Sequence, residues 1–314
     1  MAMELHHKLD SRVLWLVLYL GSLGFPSLKA SEDQSGIRLS RSTGNHLFVP
    51  VRVNHRPAWF AVDTGAALTI VDAHKAKILG LSPRSEMVQL PRQIEVNDRS
   101  VPVAHIERLE LGPQNLGAGP VALIDLREFR GRLRGSNNLV AMDGIIGLDI
   151  LERYAAVIDC QNQRIYLQTT GTRPQGIGAS FRRQRMNAVP MRITHSGALE
   201  VEGLLGRNRY SFVVDTGGFE TLIPYSVAVQ NGITVLRTTV NAKGIHSKER
   251  PVGVALTPLI DIGKYSLGPM LVGVTGLPAG PEDLRYPFGG LIGADFFFQH
   301  HGVIDVGNKM LYFR

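Results

Sequence analysis

Apolar and polar residues alternate through FVPVRVN (Phe48 to Asn54) and again through AVPMRIT (Ala188 to Thr194), the period of two expected of half-buried β-strands. Both stretches share the order Val-Pro-apolar-Arg-apolar. Each leads into a second apolar run that ends in Asp-Thr-Gly. The first is FAVDTGA, with Asp63, Thr64 and Gly65; the second is FVVDTGG, with Asp215, Thr216 and Gly217. The echo continues downstream, where DGIIGLDIL (Asp143 to Leu151) matches GGLIGADFF (Gly289 to Phe297). AAVIDCQNQRIYL (Ala155 to Leu167) then matches HGVIDVGNKMLYF (His301 to Phe313). Gly147 and Gly293 each follow their Asp-Thr-Gly by roughly 80 residues, the first interval being about six longer, as a loop insertion in one copy would make it. The chain reads as a duplicated lobe.

Within each copy, short apolar runs are punctuated by Gly and Pro, of which there are 34 and 17. That rhythm predicts many short strands and tight turns. Helix is expected only over Asp72 to Leu79, over its counterpart Tyr225 to Gln230, and for one turn after each Ile-Gly. The stretch TTGTRPQGIGASFRRQR (Thr169 to Arg185) has no apolar period and reads as a linker. A length of 314 residues suits two domains of about 150 each. The expected organisation is a signal segment at 1–30, a first lobe at 31–168, a linker at 169–187 and a second lobe at 188–314, both lobes mainly β.

Apolar residues make up 44% of the chain and charged residues 19%, so packed cores are expected. The formal net charge is +7. Its densest clusters, RGRLRG (Arg130 to Gly135) and RRQR (Arg182 to Arg185), lack the interleaved aromatics that stack on bases. Solvated loop charge is therefore expected and nucleic-acid binding is not, while association with an anionic envelope stays open. Cys160 is the single cysteine, which excludes an intrachain disulfide and a thiolate-rich zinc site; it is expected buried and inert. His300-His301 has no companion cluster and no H-E-x-x-H occurs, so no metal is expected.

At the N-terminus, Lys8 and Arg12 precede the apolar run Val13 to Phe25, and PSLKA ends at Ala30. This is the pattern of an export signal, too short for a comfortable membrane span of about 20 residues. Removal after Ala30 and a periplasmic or secreted product are expected. Leu28 is not the preferred small residue at its position, which keeps an uncleaved membrane anchor as the alternative.

Two Asp-Thr-Gly motifs carry a specific chemistry if the lobes bring them together. Asp63 and Asp215 would each supply a carboxylate, and two carboxylates held close share one proton. The ionised member acts as general base on a water; the protonated one polarises a carbonyl and then protonates the leaving amine. Gly65 and Gly217 permit a tight turn, close backbone approach and an amide donated to each carboxylate. Thr64 and Thr216 have hydroxyls able to bond backbone across a pseudo-dyad. No nucleophile elbow G-x-S-x-G is present.

With these motifs the chain resembles the aspartic protease superfamily over nearly all of its length after the signal. Ile145-Ile146-Gly147 and Leu291-Ile292-Gly293 match the apolar-apolar-Gly segment that forms the family's ψ-shaped loop beneath each aspartate. The resemblance implies the acid-protease fold: two pseudo-symmetric, retropepsin-like β-barrel lobes, with an extended peptide bound in the cleft between them under a hairpin flap. It implies an aspartic endopeptidase acting on peptide or protein substrates without metal or organic cofactor, and active as a monomer because one chain holds both half-sites. Short lobes without disulfides resemble retroviral-type lobes fused in tandem more than a pepsin. Ala66 and Gly218 stand where pepsins carry Ser or Thr. Losing a hydroxyl donor should raise the pair's titration range and make the optimum less acidic. Candidate flaps are Gln93 to His105 and Asn241 to Ala255, neither with a tyrosine.

A catalytically inactive, peptide-binding scaffold is the alternative. Asp149, Asp295, Asp159 and Asp305 also recur in both copies. Their places after Ile-Gly or at strand ends predict structural roles, as caps or partners of nearby backbone.

Overall fold

The computed structural model describes residues 36–81, 93–96, 99–136, 138–168, 184–245, 249–277 and 280–314. The export signal, most of the linker and half of RRQR lie outside those residues. No helix among the described residues is long and apolar enough to cross a membrane.

The fold is mainly β, and its two halves repeat one plan. In the first lobe the hairpin Leu47–Val53 and Arg56–Val62 pairs antiparallel from Phe48↔Ala61 to Val53↔Arg56. Its inward residues alternate with outward ones, as in Val49, Val51 and Val53 buried against exposed Pro50 and Arg52. The strand Gly144–Ile146 then inserts beside Arg56–Val62 in parallel and beside Ile70–Asp72 antiparallel. The second lobe repeats the device. Leu199–Leu205 pairs with Asn208–Val214, and Phe288–Ile292 inserts parallel to the latter and antiparallel at Leu222. These insertions are the ψ arrangement expected from the two apolar-apolar-Gly segments, and with them the two-lobed acid-protease fold is present.

The closing motifs of the two copies meet each other. Val157–Asp159 pairs antiparallel with Val303–Asp305, placing Ile158 opposite Ile304. Each is backed by its own partner, Arg164–Tyr166 or Met310–Phe313, and Ile37–Arg38 extends the sheet at one edge. One sheet therefore crosses the sequence boundary between the halves. Asp159 and Asp305 cap its turns: each Oδ1 accepts from the backbone N–H of Asn162 or Asn308 at 2.9 Å, and each Oδ2 from that residue's Nδ2 at 2.8 Å. Both are structural, as their places predicted. Cys160 is buried beside them, and burial pushes its thiol far up, so it is inert.

Three helices are present among the described residues: Leu148–Arg153, Tyr225–Gln230 and Ala294–Gln299. The helix expected over Asp72 to Leu79 is absent; residues 73–80 form successive turns. The neighbouring hairpin instead ties down the carbonyls at the segment's C-terminal end. Asn54 Nδ2 donates to the carbonyls of Leu79 and Gly80 at 3.2 and 3.0 Å, and Arg56 donates to those of Lys77 and Ile78. The backbone bonds left over mix three-, four- and five-residue spans, as from Gly80 to Lys77, Leu79 to Lys75 and Leu81 to Ala76. A second correction concerns RGRLRG. It is not all loop: Arg130–Arg132 is a strand paired with Leu139–Ala141.

Ile158 and Ile304 are both fully buried in the shared sheet. Replacing either by Ala is expected to cost about 2–5 kcal/mol in urea unfolding. Because they face each other, the double variant should lose measurably less or more than the sum. Strict additivity would mean that the halves do not support one another there.

Candidate active site

Each aspartate sits at the end of a strand whose last backbone bond runs to the inserted ψ strand. The Asp63 N–H donates to Ile146 O at 3.1 Å and the Asp215 N–H to Ile292 O at 3.0 Å. The chain then turns sharply, and Gly65 N–H returns to Asp63 Oδ1 at 2.8 Å while Gly217 N–H returns to Asp215 Oδ1 at 2.9 Å. The turns are pinned from below, where Leu148 N–H reaches Ala66 O and Ala294 N–H reaches Gly218 O, both at 2.7 Å.

Thr64 and Thr216 bind each other's strands. Thr64 Oγ1 donates to Val214 O at 2.7 Å and accepts from Thr216 N–H at 3.1 Å. Thr216 Oγ1 donates to Val62 O at 2.8 Å and accepts from Thr64 N–H at 3.1 Å. Both threonines are buried. The hydroxyls do what the sequence predicted of them.

The grip sets each carboxylate against the opposite glycine. A Cβ on Gly65 would fall 2.5 Å from Asp215 Cγ, and one on Gly217 would fall 2.3 Å from Asp63 Cγ. Only glycine leaves room. Gly147 and Gly293 face the same constraint one layer down, where a Cβ would meet backbone of Leu68 or Glu220 at 2.4 and 2.2 Å. Their N–H groups donate to Thr69 and Thr221 Oγ1 at 3.2 Å. Those hydroxyls in turn donate to Asp149 and Asp295 at 2.7 and 2.8 Å. Asp149 and Asp295 are therefore structural, as expected, but they orient threonines and are not caps; Gly147 and Gly293 occupy the N-cap positions.

The two carboxyls are in direct contact, both part-exposed. Burial raises the Asp215 carboxyl well above the usual carboxylate range, the negative charge of Asp63 and the hydrogen bond between them add to this, and the Gly218 and Gly217 N–H groups oppose it. Gly218 N–H gives Asp215 a second backbone donor, at 2.9 Å, where pepsins would carry a hydroxyl side chain.

Two residues, and the contacts of one candidate flap, escaped the sequence reading. His46 lies half-buried beside the site. Burial draws its imidazole below the ordinary value, while the charge of Asp63 and a bond to the Gly217 backbone pull the other way. Asn45, next to it, donates to Phe219 O across the lobes at 3.1 Å. The hairpin Leu236–Ala242 and Arg250–Leu256 sends Lys243 to an ion pair with Glu128 and Ile245 onto an apolar cluster around Phe48, Ala61 and Ile70, beside Ala66. No local motif marks these residues, because each acts only through the other lobe. The other candidate flap is also a hairpin, Gln93–Val96 with Arg99–Ile106. Among the described residues, no group of His, Cys, Asp and Glu is placed to hold a metal.

Residues 49–150 match the model of a family described as aspartyl protease, a span that holds the first Asp-Thr-Gly and Gly147. No curated protein matches the chain. Among solved structures, an aspartic proteinase from Irpex lacteus is 12% identical and covers 88% of this chain and 96% of its own, with a TM-score of 0.46. A retropepsin-like aspartic protease from Rickettsia conorii is 17% identical over 38% of this chain and 81% of its own, with a TM-score of 0.27. Both likenesses are remote. The likeness to the aspartyl protease family thus covers residues 49–150, within the first lobe.

Two predictions follow from the geometry alone. Thr64→Val or Thr216→Val strands a buried N–H and a buried C=O and should cost about 2–5 kcal/mol in urea unfolding. The second concerns pH. A carboxyl raised in the folded state favours folding while protonated, and that contribution is lost as pH rises from the unfolded value through the raised one. Asp215→Asn, which cannot ionise, should therefore melt higher than the parent near neutral pH, and the gap should close below about pH 4. A gap independent of pH would contradict the burial described.

Proposed function

We propose that the protein is an aspartic endopeptidase in which Asp63 and Asp215 activate a water against the scissile amide. The observation that carries this reading is the contact of the two carboxyls, each lodged against the opposite Asp-Thr-Gly turn by the Thr64–Thr216 grip. Asp215, raised by burial and by its neighbour, holds the shared proton, and Asp63 serves as the base. Water gives one proton to Asp63 as its oxygen adds to the carbonyl carbon, and Asp215 gives its proton to the carbonyl oxygen. As the C–N bond breaks, Asp63 passes its proton to the departing nitrogen and Asp215 recovers one from the diol. The balance needs no metal and no covalent intermediate.

One chain carries both half-sites, so we propose that the monomer is the active form. We further propose export, with removal of residues 1–30; N-terminal sequencing that finds Ser31 supports it, and an intact apolar run points to an anchor.

Digestion of a peptide library across about pH 3 to 8 tests the activity. Cleavage is expected in the parent and a loss of at least about a thousandfold in Asp63→Asn and in Asp215→Asn, since neither can then share the proton. Equal turnover in parent and variants would sink the assignment, and peptide binding with no turnover would favour the inactive scaffold. The optimum should lie well above about pH 2, because burial and the mutual charge of the pair raise its titration.

A further inference from the structure

Around the turn at residues 42–46, Arg41 and Arg134 gather two positive charges with no ion-pair partner among the described residues. Asn45, in the left-handed region at φ 66°, reaches across to Phe219 O, four residues beyond Asp215. Its own side-chain oxygen accepts from Arg41 Nε at 3.2 Å, Arg41 Nη2 at 2.7 Å and Arg134 Nη2 at 3.0 Å. Arg134 is further fixed by Nε to Ser42 O at 3.1 Å and by its backbone N–H to Arg41 O at 2.8 Å. The Arg41 guanidinium lies on the ring of Phe298, with Cζ 3.3 Å from its centroid. Two guanidinium groups thus converge on one neutral amide oxygen.

Four described arginines lie against carboxylates, Arg108 with Glu110, Arg127 with Asp125, Arg192 with Glu200 and Arg209 with Glu202; Arg41 and Arg134 instead lie against the one Asn45 side-chain oxygen. Among the described residues, Arg41 and Arg134 have no ion pair. Holding like charges together without an anion is unfavourable, and burial followed by the charge of Arg134 already pulls the Arg41 guanidinium down. The Nε and Nη2 groups of both arginines are engaged by Asn45 and Ser42, which leaves each Nη1 to donate to an oxyanion. The backbone from Asp215 to Phe219 spans at most about 14 Å. The Asn45 bridge adds about 8 Å, and an extended peptide advances about 3.3 Å per residue, so a carboxylate reaching the pair belongs within about seven residues of the bond at the dyad.

We propose that Arg41 and Arg134 form a carboxylate subsite that selects an acidic side chain, or the free C-terminal carboxylate, of the peptide lying across the dyad. The proposal rests on the proteolytic reading and gives it a substrate class: peptides with a fixed acidic position. It also changes the meaning of RGRLRG: all three arginines are exposed, but only Arg134 among them is tied to Asn45.

The test uses a proteome-derived peptide library and the full mature protein. In the parent, cleaved peptides should show Asp or Glu enriched at one position, or one fixed distance from a free C-terminus, relative to Asn and Gln. In Arg134→Gln the ratio of acidic to amide turnover should fall about tenfold, the scale of one charged hydrogen bond. Arg134→Glu should turn the preference toward Lys or Arg, which a merely structural arginine would not do. The second arm needs no turnover: peptides retained on immobilised Asp63→Asn protein are sequenced, and the same acidic enrichment should disappear with Arg134→Gln added. Cleavage with no acidic preference overturns the subsite and leaves the protease reading standing. Acidic retention by a chain that never cleaves does the reverse. Retention indifferent to acid, or none at all, overturns the subsite. Enrichment at the free C-terminus alone assigns the carboxylate to the chain end, and enrichment at internal positions assigns it to a side chain.

Discussion

Thr64 and Thr216 exchange four hydrogen bonds across the two lobes, and everything chemical in the molecule depends on that exchange. Each hydroxyl donates once and accepts once, so neither can be replaced by a group that only donates or only accepts. The bonds are buried, where an unmade partner costs the full desolvation of the group left behind. Fixing residues 64 and 216 fixes their neighbours on both sides. Asp63 and Asp215 precede them and come into contact; Gly65 and Gly217 follow them and close over the opposite carboxyl. The contact that disfavours charge on Asp215 is thus sustained by neutral hydrogen bonds made one residue away.

Much of this was legible before any coordinates, because duplication writes the same constraint twice. The period-two strands, the paired Asp-Thr-Gly turns, the inserted strands ending at Gly147 and Gly293 and the helices after them all sit where the repeat put them. What failed to show were features with no local signature. Residues 73–80 have helical composition, but Asn54 and Arg56 of the neighbouring hairpin hold the end of the segment, and its backbone bonds keep no single helical span. The partner of Asp149 is a threonine eighty positions earlier in the chain. His46, Asn45 and Arg134 are unremarkable in their own segments, and their roles come from residues distant in the chain: Asp63 and Gly217 for His46, Phe219 for Asn45, and Asn45 for Arg134.

The site is symmetric in backbone and asymmetric in chemistry. Asp215 receives two backbone donors, from Gly217 and Gly218, while the matching donor to Asp63 comes from Gly65. His46 lies near Asp63, and the arginine pair lies past Phe219. A symmetric dyad would have no reason to place its proton on one side. Here the two carboxyls have different surroundings, and two titratable groups in unlike environments are what separate an acid from a base.

The ties between the lobes differ greatly in strength, and that ordering decides where the molecule can open. The shared sheet with Ile158 against Ile304 and the threonine grip are buried and well bonded. The hairpin clip is not: Lys243 and Glu128 are 44% and 70% exposed, and an ion pair so placed contributes about 0–1 kcal/mol. Ile245 adds only part of one apolar side chain, being itself half-buried. Lifting this clip sacrifices little, whereas prising apart Thr64 and Thr216 would break four buried hydrogen bonds. Movement of the hairpin over rigid lobes is therefore the low-cost opening, and it leaves the geometry of the carboxyl pair undisturbed.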